Sequence, residues 1–293
     1  MHIARSVAEL RQRLASADHP AFVPTMGNLH EGHLALLRHA NTLGDQTVAS
    51  IFVNRLQFLP HEDFDSYPRT FESDCAQLEA VGCDVLFAPS EQDLYPQPQT
   101  FKIQPDPALA NILEGEYRPG FFTGVCTVVM KLFSCVFQGG KGVAIFGQKD
   151  FQQQLILRHM VRQFALPIDV VTVPTLRAAD GLALSSRNMY LSDSERAQAV
   201  QLSAALKALF DKVNNLLSES GSQAEMLPGQ SRLRTLETQA MDRLRALGWQ
   251  PDYLTVRHQA DLSPLDASGR LDPLIALGAA KLGKTRLIDN LLV

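Results

Sequence analysis

Short apolar runs bounded by Gly, Pro or Asn recur along the first 175 residues. Ala21–Val23, Val48–Val53, Asp84–Phe87, Gly142–Phe146 and Ile168–Val173 read as strands. They are apolar on both faces, which suits a parallel sheet covered by helices on each side. Between them the apolar positions change to helical spacing, predicting helices over Leu34–Leu43, Phe71–Val81, Gly124–Val136 and Phe151–Phe164. Ile3, Val7, Leu10 and Leu14 predict a further surface helix at the N-terminus, and five prolines within residues 89–108 mark an excursion from the sheet. After Leu176 the pattern changes. A helix over Glu195–Leu217 follows the Ser192/Asp193 cap signal, a polar stretch Ser218–Gln230 reads as a mobile loop, and a second helix covers Leu233–Leu247. Strand patterns follow at Asp252–Arg257, Arg270–Leu277 and Thr285–Asn290. The expected organisation is an α/β domain over residues 1–175 and a smaller α+β domain over 176–293. Ligands of such a parallel sheet sit at the carboxyl ends of its strands.

Composition narrows the function classes. With 293 residues, 45% of them hydrophobic, the chain can bury two cores. Its net charge of −4 and the absence of any Lys/Arg block argue against nucleic-acid or anionic-membrane partners. No apolar run approaches the roughly 20 residues needed to span a bilayer, and the N-terminus lacks a signal-peptide core, so a soluble protein is expected. Cys75, Cys83, Cys126 and Cys135 form neither C-x-x-C nor zinc spacing, which predicts free thiols in a reducing cytosol.

The densest chemistry lies in Pro24-Thr25-Met26-Gly27-Asn28-Leu29-His30-Glu31-Gly32-His33. A strand there runs into a Gly-containing turn and then a helix. His30 and His33, three apart, fall on one face of the first helical turn. Unpaired backbone N–H groups, the positive helix end and Gly27 and Gly32 make this a candidate phosphate site, with the imidazoles as donors. A zinc site is excluded because the spacing is not that of His-Glu-x-x-His. Four more segments carry polar groups at turns: Asn54 and Gln57 after a strand, Arg118-Pro119-Gly120 before a helix, Gly147-Gln148-Lys149-Asp150 at a second strand–turn–helix, and Ser185-Ser186-Arg187-Asn188 beyond the domain boundary. Gly139-Gly140-Lys141-Gly142 lacks P-loop spacing.

In order and wording these segments, with Tyr67-Pro68-Arg69-Thr70 and Thr285-Arg286-Leu287-Ile288-Asp289-Asn290, resemble the pantothenate synthetase (pantoate–β-alanine ligase) family of the His-x-Gly-His adenylyltransferase superfamily over essentially the whole chain. The resemblance implies a Rossmann-like first domain, a lid-like second domain, a cytoplasmic homodimer, and ATP, Mg²⁺, pantoate and β-alanine as its small-molecule partners. It implies attack of pantoate carboxylate on the α-phosphorus of ATP, then attack of the β-alanine amine on the pantoyl adenylate. By the same resemblance His30, His33, Lys149, Ser185, Ser186 and Arg187 hold the phosphates. His33 protonates or stabilises departing pyrophosphate. Asp150 binds the ribose beside Gly147, backbone near Leu176 and Leu184 lines adenine, and Met26 and Gly27 lie at the turn. Gln57 and Gln153 grip pantoate, Met26 packs on its methyl groups, and Asn54 and Tyr67 support the pocket. The metal ligands stay open, with Glu72 and Asp74 either outer ligands or exposed carboxylates at a helix N-terminus. Arg55 stands where the family has proline, Phe121 where it often has histidine, and Gln148 where glutamate is frequent. Arg55 is expected to point away or pair with an acid. The rival expectation is an inactive or altered-substrate relative that still binds nucleotide.

Overall fold

The computed structural model describes residues 1–60, 62–219, 230–265 and 272–292. Its contacts cluster into two compact units, Met1–Leu176 and Arg177–Val293.

In chain order the first unit holds β1 (His2–Ala4), α1 (Val7–Arg13), β2 (Ala21–Thr25), α2 (Glu31–Ala40), β3 (Thr47–Ile51), α3 (Phe71–Ala80) and β4 (Val85–Phe87). Three single-turn helices follow: α4 (Glu91–Leu94), α5 (Pro107–Ala110) and α6 (Glu114–Tyr117). Then come α7 (Phe121–Val136), β5 (Gly142–Gly147), α8 (Phe151–Gln163) and β6 (Ile168–Val173). The six strands form one sheet of order β1-β4-β3-β2-β5-β6, and every pair is parallel. One face is closed by Leu34, Leu37, Ala40 and Leu78 packing with Ala21, Val23, Ala49, Leu86 and Ile145. On the other, the Phe22 ring meets Phe133 and Phe137 edge-on at 6.4 and 6.2 Å.

Two features of this sheet position the site. The chain passes from β2 outward through β3 to β4 on one side and returns to β5 and β6 on the other, so the strand order reverses between β2 and β5. At that boundary pairing is short: only Ala21 and Phe22 pair with β5. Ala21 N–H donates to Gln46 O at 2.9 Å and Thr25 O accepts from Phe52 N–H at 3.1 Å, so odd residues bond toward β3. Pro20 O accepts from Val143 N–H at 3.0 Å, so even residues face β5. Pro24 therefore presents a ring nitrogen without hydrogen toward β5, at the first position where the pairing has stopped. The strands part there, and their carboxyl ends open a fork.

The N-terminal expectation needs correcting. Ile3 belongs to an edge strand, paired with Leu86 of β4, and the helix begins only after Ser6, whose capping box with Glu9 sets its start. A three-residue strand is too short to impose a period of two on the sequence.

The second unit holds a short turn of 3₁₀ helix (Ser186–Tyr190), α9 (Asp193–Gln198), α10 (Gln201–Glu219), α11 (Gln230–Ala246) and an antiparallel sheet of β7 (Gln250–His258), β8 (Leu274–Leu282) and β9 (Thr285–Leu292). Leu202, Leu206, Leu209 and Val213 of α10 form its core with Leu244, Trp249, Val256 and Ala276. The helix expected over Glu195–Leu217 is two helices, parted near Ala199; no local residue type signals that break. Of the expected loop Ser218–Gln230, Ser218 and Glu219 close α10 and Gln230 opens α11, while residues 220–229 lie outside the described residues. Arg270 and Leu271 of the predicted strand also lie outside them, and that strand is observed from Leu274. The four cysteines are free thiols, three of them buried. Among the described residues no helix is long and apolar enough to cross a membrane.

Candidate active site

His30 and His33 flank the fork from the β2 side, and Lys149 and Asp150 follow β5 across it. His30 is the N-cap of α2: its Nδ1 accepts the Gly32 N–H at 3.1 Å, while His33 Nδ1 accepts the His30 N–H at 3.4 Å. The two imidazoles thus make a reciprocal capping box. With both Nδ1 atoms accepting, each neutral ring carries its proton on Nε2. The rings lie 4.1 Å apart. Desolvation, then the Lys149 charge, lowers His30 to about pKa 4, with Asp150 opposing. Desolvation, then His30 and Lys149, lowers His33 to about 3. Near neutral pH this is a pair of uncharged donors beside a cation.

Most backbone N–H groups of this stretch are already engaged, contrary to the expectation that they are open. Gly27 N–H donates to Thr25 Oγ1, Asn28 and Leu29 N–H to Asp74, His30 N–H to His33, and those of Gly32 and His33 to His30. Any phosphate here is met chiefly by side chains. Asp74 is not an exposed carboxylate either. It is 1% exposed with both oxygens engaged, whereas Glu72 is exposed.

A second cluster adjoins Met26. Gln57 Nε2 lies 3.1 Å from Met26 Sδ, and Asn54 Nδ2 donates to Gln57 Oε1 at 3.2 Å and to Gly124 O at 3.3 Å. Asn54 is buried, and the Tyr95 hydroxyl donates to its Oδ1 at 3.4 Å. Buried Tyr67 packs edge-on against Phe58. Of three consecutive glutamines on α8, Gln152 is bonded to Leu109, Ile112 and Glu114, and Gln154 to Arg158 and Thr172. Gln153, between them, is half-buried and not tied into either network. A Cβ at Gly147 would meet nothing within 4 Å, so the space over that residue is open.

Arg118 had no assigned role in the sequence reading. Its guanidinium grips Glu62 at 2.6 and 2.9 Å, reaches Gln57 O at 3.3 Å and stacks 3.7 Å over Phe121. It braces the segment that presents Gln57. Only the Arg-Pro-Gly wording marked it; its partner Glu62 carries no sequence signal.

Leu176, 39% exposed, ends the first unit. Leu184, Ser185, Ser186 and Arg187 belong to the second, where Ser185 caps the 3₁₀ turn by accepting the Arg187 N–H at 3.3 Å. The segment leading to them is held by Arg177, which makes two bonds to Asp289 at 2.7 and 2.8 Å and others to Asn290 O and Gly181 O.

The sequence profile of the pantoate–β-alanine ligase family matches residues 2–292. The chain belongs to this family. Pantothenate synthetases of Paracidovorax citrulli and Verminephrobacter eiseniae are 64% and 63% identical to it over 291 residues, 99% of each chain. The pantothenate synthetase structure from Thermus thermophilus superposes with a TM-score of 0.86 at 41% identity, covering 99% of both chains. A Francisella tularensis pantoate–β-alanine ligase, solved with β-γ ATP and β-alanine, matches with a TM-score of 0.76 at 30% identity over 100% of this chain and 97% of its own. The pantoate–β-alanine ligase fold, a parallel α/β unit followed by a small antiparallel one, is thus the fold of this chain, and the chain is an enzyme of the ligase class.

Proposed function

We propose that this chain condenses (R)-pantoate with β-alanine to pantothenate, consuming ATP through a pantoyl-adenylate intermediate and releasing AMP and pyrophosphate. The observation that carries the reading is the pair of neutral imidazoles beside Lys149 at the switch point of the sheet. An anion must there approach a polyanion, so catalysis rests on placement and on donors aimed at developing phosphoryl charge. Lys149 supplies the positive charge. His30 and His33 supply Nε2–H donors that keep their protonation state throughout the neutral range. His33 accordingly stabilises the departing pyrophosphate as a hydrogen-bond donor, not as a proton source. Removing one such donor costs about 3 kcal/mol of transition-state stabilisation.

In the same reading Met26, Gln57 and Gln153 receive pantoate, with Asn54 and Tyr67 setting the wall behind them. Asp150 takes the ribose hydroxyls beside the open space over Gly147, and backbone at Leu176 and Leu184 lines adenine. Ser185, Ser186 and Arg187 take the triphosphate. Mg²⁺, if carried by the triphosphate, would neutralise part of its charge. Asp74 is spent on the Asn28 and Leu29 N–H groups, so it would not be the residue that holds the metal. The first unit is the nucleotide- and pantoate-binding domain, the second its lid, and the working form a cytoplasmic homodimer. The rival reading as an inactive relative lacks support: Arg55 pairs with Glu91 and lies over Phe64, and Phe121 serves as the platform for Arg118.

Pyrophosphate release from MgATP tests the proposal. One equivalent per enzyme with pantoate alone, becoming continuous when β-alanine is added, is the expected result. A folded, ATP-binding protein silent in both conditions would overturn it.

A further inference from the structure

Gly27 and Asn28 both adopt left-handed backbone, with φ of 81° and 50°. Successive residues in such turns point their N–H groups into one concavity, the nest that in many proteins receives a ligand anion. Here the protein fills it. Asp74 reaches across from α3, and its Oδ2 accepts the Asn28 N–H at 2.9 Å while Oδ1 accepts the Leu29 N–H at 2.8 Å. Thr70 Oγ1, one turn earlier, donates to Oδ1 at 3.1 Å. The carboxylate is 1% exposed. A Cβ on Gly27 would lie 3.1 Å from both Asp74 Oδ2 and Ile51 Cγ2, so the turn is closed around this one group. The next residue after the nest is His30, the N-cap whose imidazole is locked to His33.

We propose that Asp74 is a positioning residue for the ligase reaction: by filling the Gly27–Leu29 nest it fixes where α2 begins, and so where the Nε2–H groups of His30 and His33 point. This rests on the role assigned above to the two histidines. It differs from a metal-ligand role, because three donors already occupy both carboxylate oxygens. It also separates the work of the turn from that of a phosphate-binding nest. The backbone donors organise the imidazoles, and the imidazoles meet the phosphate.

The test uses the full-length chain, its Asp74→Asn variant, which turns one acceptor into a donor facing an N–H, and Thr70→Val, which removes a single contact. Imidazole ¹⁵N spectra of the free protein are read alongside kcat, the KM for ATP and the Mg²⁺ activation curve. The wild-type rings should show the Nε2–H tautomer, and Asp74→Asn should lose that fixed signature. Its kcat should fall about 100-fold, the usual consequence of an ångström-scale misplacement, with KM for ATP and Mg²⁺ activation changed less than threefold. Thr70→Val should move both readouts the same way, with kcat down about fivefold. If Asp74→Asn does not fold, Thr70→Val decides. Unchanged imidazole spectra in a folded variant overturn the proposal. So does a kcat restored by saturating Mg²⁺, which would make Asp74 a metal ligand. Because the spectra need no substrate, an inactive wild type would refute the ligase reading and still leave the positioning claim judged by them.

Discussion

At Arg55 the guanidinium lies 3.9 Å above the Phe64 ring and 3.7 Å from Glu91, outside the contacts that Asn54 and Gln57 make with Met26 and Gly124. Both charged side chains are more than half exposed, so the pair is worth less than about 1 kcal/mol. Asn54 before it is extended, and Arg55 is the first residue of a 3₁₀ turn, a place whose backbone accepts proline. Arg55→Pro should therefore change stability by less than about 1 kcal/mol and leave the KM for pantoate within about twofold. Denaturation and initial rates check both, and a large fall in KM would show that the arginine obstructs the pocket. Asp74 carries the opposite lesson. In sequence it is one acid among several at a helix start, and its burial came only from a turn 45 to 46 residues upstream. Long-range pairing of that kind leaves no local pattern.

Among the elements, α7 approaches the Arg55–Gln57 turn with no room to spare. A Cβ on Gly124 would stand 2.1 Å from Leu56 O, and the Gly124 carbonyl itself receives Asn54 Nδ2. Gly124→Ala should push the helix from the turn, costing about 1–3 kcal/mol of stability. The KM for pantoate should rise about tenfold, or ~1.4 kcal/mol, with the KM for ATP changing much less. In the second unit Asp289, 4% exposed, anchors Arg177 at the base of the Ser185–Arg187 segment. Asp289→Asn leaves a partly buried guanidinium short of its counter-charge and should destabilise that unit by about 3 kcal/mol. Thermal unfolding reads the loss, and a raised KM for ATP would follow from the loosened segment. Element types were legible where the period was long, as in α7, α8 and α10. The three-residue β1, the break between α9 and α10 and the strand order were not, because pairing partners and not local residues decide them.

For the molecule as a whole, the depressed histidines make acid stability a measurable consequence. In the unfolded chain both imidazoles protonate near pH 6.5, but in the folded protein only near 4 and 3. Between these limits the unfolded state binds more protons, so folding stability rises with pH. The contribution is complete above about pH 6.5 and is lost progressively as the pH falls toward 4 and then 3. Denaturant unfolding at pH 7, 5.5 and 4.5 should show this slope, and His33→Gln should flatten it. Much of the candidate site could be read from the chain because turns after β2, β3 and β5 carry their polar residues in compact wording. What the wording could not convey is that most backbone N–H groups at the first turn are already engaged, those of Asn28 and Leu29 by Asp74 of α3.

The fork between β2 and β5 bears on kinetics. A proline nitrogen faces β5 where the next ladder bond would form, so β2 has no N–H to donate across the gap there. β2 pairs with β5 only at Ala21 and Phe22, so no ladder bond joins these strand ends beyond them. Ligand binding there is then expected to show no slow strand-separation phase.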